Sequence, residues 1–194
     1  MPHRRIVLFV EDRAHRDVLD VLVRRLCEEQ QVEVEFVWSN ATRGFGAVAR
    51  DLKRYVSELK VTGTLPDLLI VASDGNCRGT SARRAELAVD DLGVPVVYAI
   101  PDPHIERWLM LDGRAFKSVF GVGCDAPDRK CDRDRYKQLL GEQVAASGTP
   151  AVFGGIEYAQ ELMESLDIER AATADRSFAR FVGELRSVLR VLGN

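Results

Sequence analysis

A chain of 194 residues that is 46% hydrophobic and 29% charged has the composition of an ordinary globular domain with a core of its own. It contains no stretch near the roughly 20 apolar residues that span a bilayer, which excludes a helical membrane protein. A formal net charge of −3 excludes a protein that grips nucleic acid over its whole surface, but it allows a site where carboxylates gather in one place and basic residues in another.

In chain order, Ile6 to Val10 is a continuous apolar run, the pattern of a strand buried on both faces. Arg4 and Arg5 precede it and Glu11 and Asp12 follow at once, so it reads as a first strand and not as a signal peptide, which places the protein in the cytoplasm. Arg13 to Glu29 carries Val18, Leu19, Leu22, Val23 and Leu26 at helical spacing. Val32 to Trp38 alternates Val32, Val34, Phe36 and Trp38 with charged Glu33 and Glu35, which predicts a half-exposed strand near a sheet edge. Residues 39–46 form a loop, and Ala47 to Leu59 a second helix. Leu68 to Ala72 is the third and most apolar strand. A turn-rich segment from Ser73 to Gly79 leads to a helix over Ser81 to Leu92. Val94 to Ile100 is a fourth strand, stopped by Pro101 and Pro103, and Ile105 to Leu111 a short helix with Trp108 and Leu109 facing inward.

Beyond Asp112 the charge-dense stretch Asp125 to Arg135 precedes helical patterns at Tyr136 to Ala146, Ile156 to Ser165 and Ser177 to Leu192, with no strand. Strands alternating with helices predict an α/β fold, a doubly wound and mostly parallel Rossmann-like sheet over residues 1–112. Residues 113–194 then form a helical extension packed on the same core.

Cys27, Cys77, Cys124 and Cys131 contain no CxxC, and His3, His15 and His104 form no ligand pattern with them. Reduced, mostly buried thiols are the expectation. The acids are more informative. Glu11 follows the first strand, Asp74 the third, and Asp102 and Glu106 the fourth. Open parallel sheets bind ligands beyond the carboxyl ends of their strands, so these residues converge. Clustered carboxylates repel unless a cation neutralises them, and an all-oxygen set suits Mg²⁺ or Mn²⁺. The bland alternative is that each acid caps the helix after it, which suits Asp102 better than Glu11. Two basic groups, Arg78, Arg83 and Arg84, and Arg129, Lys130, Arg133, Arg135 and Lys137, are candidates for phosphate contacts or for simple solvated faces. His15 and His104 lie near the acids as proton shuttles or structural hydrogen-bonders.

At Val10-Glu11-Asp12 and Asp74-Gly75-Asn76 the chain resembles the TOPRIM family of topoisomerases, bacterial primases and overcoming-lysogenisation-defect nucleases. The segment from Pro101 to Asp112, with its Glu106-Arg107-Trp108-Leu109, is similar to small stand-alone TOPRIM-like proteins encoded beside an SMC/ABC-type ATPase. The late Asp175-Arg176-Ser177-Phe178-Ala179-Arg180-Phe181 is similar to their ending. The resemblance implies a metal-dependent nuclease, the effector of an ATPase-linked phage-defence system, acting on DNA more than RNA and on no membrane. It implies Glu11 as general acid/base that also touches the metal, Asp74 as direct ligand and Glu106 completing the shell. Asn76 stands where the family has a second aspartate, and an amide brings no charge. Arg78, Arg83, Arg84 and Lys130 are the nucleic-acid contacts expected around this set. Two other readings remain open: an idle TOPRIM subunit that only binds the ATPase, and a receiver-like domain phosphorylated on Asp74.

Overall fold

The structure, a computed structural model, describes residues 3–42, 44–89, 92–132 and 134–193. Strands β1 (Arg4–Val10), β2 (Val34–Asn40), β3 (Leu68–Ala72) and β4 (Val96–Ala99) form one sheet of order β2-β1-β3-β4, every pair parallel. The two uninterrupted apolar runs take the inner places, with Ile6 to Val10 and Leu68 to Ala72 all 0–1% exposed. Alternating β2, with Val34, Phe36 and Trp38 only partly covered, takes an edge.

Helices cover both faces, as in a doubly wound fold. Ile6, Leu8, Val10, Leu68, Ile70 and Ala72 pack on one side with α1 (Arg13–Glu29) and α9 (Arg176–Leu192). Val7, Phe9, Leu69 and Val71 pack on the other with Val48, Leu52 and Val56 of α2 (Gly44–Thr62). This is the period-2 alternation of a strand between two helical layers. The chain moves outward from β1 to β2 and then returns to place β3 on the far side of β1. The strand order therefore reverses between β1 and β3, and the crevice at their carboxyl ends is where such folds bind ligands.

The remaining helices are α3 (Thr80–Glu86), α4 (Glu106–Leu109), α5 (Gly113–Phe120), α6 (Arg135–Ala146), α7 (Ala159–Ser165) after a 3₁₀ turn at Ile156–Tyr158, and α8 (Ile168–Ala174). Phe116, Tyr136, Leu140, Phe178, Phe181 and Leu185 belong to the same apolar cluster as one face of the sheet. Two short helices, α5 and α8, were not expected from periodicity. Each is set by a cap: Asp112 accepts from the Arg114 amide and Asp167 from the Arg170 amide. The helix predicted over 81–92 stops at Glu86, because Leu87 and Leu92 are both drawn into the cluster beneath Val71 and Tyr98. Positions 90 and 91 of that prediction, Arg43 of the predicted loop and Arg133 of the second basic group lie outside the described residues.

The expectation of four reduced thiols is corrected. Cys77 and Cys131, 54 residues apart, form a disulfide with Cα atoms 5.5 Å apart, while Cys27 and Cys124 are free. The fold lays the 125–132 stretch against the loop after β3, a proximity that cysteine spacing alone does not encode.

Trp108 fixes α4 to α9. It is fully buried, its Nε1 donates to Ser177 Oγ at 3.1 Å, and its ring meets Phe178 edge-on at 5.1 Å and stacks on Phe181 at 5.8 Å. Next to it, Asp175 caps α9 by accepting from the Phe178 amide at 2.8 Å and pairs with buried Arg107. Asp175→Ala removes the cap and leaves Arg107 as an unpaired buried charge, so urea denaturation should show a loss of about 3–5 kcal/mol. Asp175→Asn keeps a good N-cap and should lose less.

Candidate functional site

The carboxyl ends of β1 and β3 deliver Glu11 and Asp74 to either side of the crevice, and the Glu11 amide donates to the Ala72 carbonyl at 3.0 Å. The loops after β3 and β4 are knitted together: the Gly75 amide donates to Pro101 O at 2.7 Å and the Asn76 amide to Pro103 O at 3.0 Å. A Cβ on Gly75 would stand 3.0 Å from Pro101 O, a tight contact that glycine avoids. Asn76 and Cys77 follow at φ 42 and 66, in the left-handed region.

Asp74 is the most engaged acid. Its Oδ1 accepts from the Ile105 amide at 2.9 Å, and its Oδ2 lies 3.2 Å from His104 Nδ1. His15, fully buried, brings Nε2 to 3.2 Å from Asp74 Oδ1, an ion-pair approach outside good hydrogen-bond alignment. The other ring nitrogen, Nδ1, is 2.8 Å from Asp12 Oδ1, and Asp12 also caps α1 by accepting from the His15 amide at 3.1 Å. One imidazole thus bridges two carboxylates.

Burial alone would raise the Asp74 carboxyl, but the charge on His15 and the bond to His104 hold it at about 2. Burial alone would lower His15, but the charge on Asp74 and the bond to Asp12 hold it well above its ordinary 6.5. His15 is therefore an imidazolium at neutral pH. The bond to Asp74 also raises His104.

The glutamates move the other way. Glu11 is only 8% exposed and its Oε2 accepts from Ser73 Oγ at 2.5 Å and from the Asp74 amide at 3.3 Å, yet burial raises its pKa. Burial raises Glu106 as well, with the charge on Asp74 adding to it. One carboxylate held ionised beside two that hold protons more readily is the environment that separates acid from base roles.

Glu11, Asp74, Asn76 and Glu106, the predicted set, line one cavity of about 400 Å³ with His104, Asp134, Tyr136 and Lys137. Of the described residues in the two predicted basic groups, Lys137 lines it and the others do not. Arg78 pairs with Glu86 at 3.5 Å, Lys130 with Asp128 at 3.1 Å, and Arg84 with Glu184 at 2.5 Å. Arg83 as a nucleic-acid contact is corrected: its side chain is 0% exposed, donating to Ser73 Oγ at 2.7 Å and pairing with Glu86 at 2.9 Å. It positions Glu11 through Ser73 instead. Asp102 turns away from the cavity to pair with Arg129 and does not cap α4. The role of Asp12 was missed, while His15, expected near the acids as a proton shuttle or structural hydrogen-bonder, lies between Asp12 and Asp74. The His15 signal was its place three residues after a capping Asp, on the first turn of the helix that leaves the site.

The donors match a hard divalent cation in kind. Carboxyl and amide oxygens face the cavity, and a divalent charge would relieve the repulsion that helps to raise Glu106. Asp74 spends its oxygens on the two histidines and the Ile105 amide. Among the described residues no group of three or more His, Cys, Asp or Glu side chains is arranged to hold a metal ion. Glu11, Glu106 and Asn76 would supply donors beside Asp74. Comparison of the chain with protein-family models, curated proteins and solved structures finds no match.

The His15–Asp74 pair makes stability depend on pH. A histidine raised in the fold stabilises fully below its ordinary 6.5, and that contribution is lost as pH rises through the folded value. Asp74, depressed to about 2, stabilises above its ordinary 3.8 and loses that only in strong acid. Urea denaturation should therefore show stability falling as pH rises above 6.5, and His15→Asn should remove most of that slope. An unchanged slope in His15→Asn would refute the charged pair.

Proposed function

We propose that this chain is a metal-dependent nuclease that hydrolyses phosphodiester bonds, of DNA more than RNA, in the cavity between Glu11, Asp74 and Glu106. The observation that carries this reading is the meeting of Glu11, Asp74, Asn76 and Glu106 in one cavity at the switch point of the sheet. That is the order and placement in which TOPRIM domains carry their acids. Mg²⁺ or Mn²⁺, held by Glu11, Asp74, Asn76 and Glu106, would neutralise charge on the attacked phosphate and acidify a bound water.

The side chains have separate tasks. Glu11, with its raised pKa and its Oε2 held by Ser73, exchanges a proton with the attacking water or the leaving oxygen. His15, clamped between Asp12 and Asp74, keeps Asp74 ionised and in place. His104 stands at the cavity with a proton to give. Lys137 brings a positive charge for phosphate into the cavity. Asn76 in place of a second acid favours one cation over two.

Among the described residues no helix is long and apolar enough to cross a membrane. Basic side chains this few and this paired give weak affinity for nucleic acid, which is the physical reason to expect an SMC/ABC-type ATPase as partner. A binding-only subunit of that ATPase is the second reading, favoured by Asn76 and by the engagement of both Asp74 oxygens.

Cleavage of plasmid and single-stranded DNA in Mn²⁺ distinguishes these readings. Glu11→Gln keeps size and hydrogen bonding but cannot exchange a proton, and should lower the rate on the order of 10²–10⁴-fold. Equal cleavage by wild type and variant would mark a contaminant and leave the binding-only reading.

A further inference from the structure

The Cys77–Cys131 bond lies outside both apolar clusters, yet each of its ends is close in sequence to residues that line the cavity between Glu11, Asp74 and Glu106. Cys77 follows Asn76, which lines that cavity, in the turn where both residues take the left-handed backbone. Cys131 comes near the end of residues 121–132, which form neither helix nor strand between α5 and α6. Asp134, Tyr136 and Lys137, just beyond it, line the same cavity. The segment also grips the site through Tyr136. That hydroxyl accepts from the Lys130 amide at 2.7 Å and donates to Asp128 O at 2.9 Å, and the Tyr136 ring is 6.0 Å from the His104 ring. The disulfide therefore ties the loop after β3 to the segment that holds the Tyr136 hydroxyl.

The second observation is access. Cys131 is exposed and Cys77 partly so, and exposed disulfides are the ones that external thiolates open. Burial pushes the Cys27 thiol up to about 12 and the Cys124 thiol up to about 11, so neither supplies a thiolate of its own at neutral pH. Opening the bond leaves the core in place. The loop after β3 keeps its Gly75 and Asn76 amides on Pro101 O and Pro103 O, and the sheet packs through other residues. Segments with few buried apolar contacts are the first to open, and residues 121–132 are mostly exposed.

We propose that Cys77–Cys131 is a thiol–disulfide switch on the cavity: closed, it holds the loop after β3 and residues 121–132 together, and open, it frees 121–132 and the contacts that fix Tyr136. A dithiol reductant supplies the electrons. One of its thiolates attacks a sulfur of the pair, the S–S bond breaks and a mixed disulfide forms. Its second thiol then displaces the bound cysteine, so the reductant leaves as a disulfide and Cys77 and Cys131 take up its two protons as thiols. A disulfide oxidant reverses the exchange. The proposal rests on this cavity as the working site but not on the reaction there, so it and the Glu11→Gln cleavage test fail separately.

Hydrogen exchange on the full chain in EDTA, read by mass spectrometry of its peptides, tests the switch in oxidised glutathione and in dithiothreitol. Peptide mapping should find Cys77 linked to Cys131 in the first buffer and both as thiols in the second, without denaturant. On reduction, exchange over residues 121–132 should rise on the order of tenfold, with β1 and β3 unchanged, and oxidised glutathione should restore it. Cys77→Ser should exchange like the reduced protein in both buffers. A pair that never forms, a bond that opens only in denaturant, or exchange over 121–132 that is equal in the two states overturns the proposal. A rise that spreads through β1 and β3 also overturns it, because the bond is then a staple for the whole fold.

Discussion

The charge on Asp74 is what the rest of the site is arranged around. Its side chain is 14% exposed and it follows a strand whose residues are all fully buried, so an ionised carboxylate there is costly unless paired and hydrogen-bonded. The fold meets that cost with three groups from two segments: His15 from α1, and His104 and the Ile105 amide from the segment before α4. Those contacts join the first, third and fourth βα connections into one body. Burial raises Glu106 and Glu11, and the same charge adds to the rise of each.

A supporting row lies behind Glu11. Arg83 donates to Ser73, Ser73 donates to Glu11, and Glu86 balances Arg83, so a guanidinium with no access to solvent sets the position of a carboxyl facing the cavity. On the far side of the β4 loop arginines dominate, and Asp102 pairs there with Arg129 through Oδ2.

Much of this was legible in the chain. Ile6 to Val10 and Leu68 to Ala72 read as inner strands because burial on both faces leaves no room for polar alternation, and β2 read as an edge because it alternates. Glu11, Asp74 and Glu106 were found because parallel topology brings strand ends together, Asn76 came from the resemblance, and Asp102, expected by the same topology, does not line the cavity. What stayed hidden depends on three-dimensional proximity. Arg83, beside Arg84 in a charged run, gave no sign that one is buried and the other lies over the Tyr98 ring. The bridge from Asp12 through His15 to Asp74 spans two strands, and the Cys77–Cys131 bond spans 54 residues. The 8- and 7-residue helices α5 and α8 are too short for a periodicity, and only their capping aspartates announce them.

The claim that a divalent cation is held beside Asp74 is tested most directly by its effect on the neighbouring imidazoles. His15 and His104 both contact Asp74, while His3 precedes the opposite end of β1, roughly 20 Å away along seven residues of strand. Substoichiometric Mn²⁺ should broaden the His15 and His104 ring resonances, spare His3, and lose that effect in Asp74→Asn. Imidazole lines of His15 and His104 that stay sharp in millimolar Mn²⁺ would contradict it.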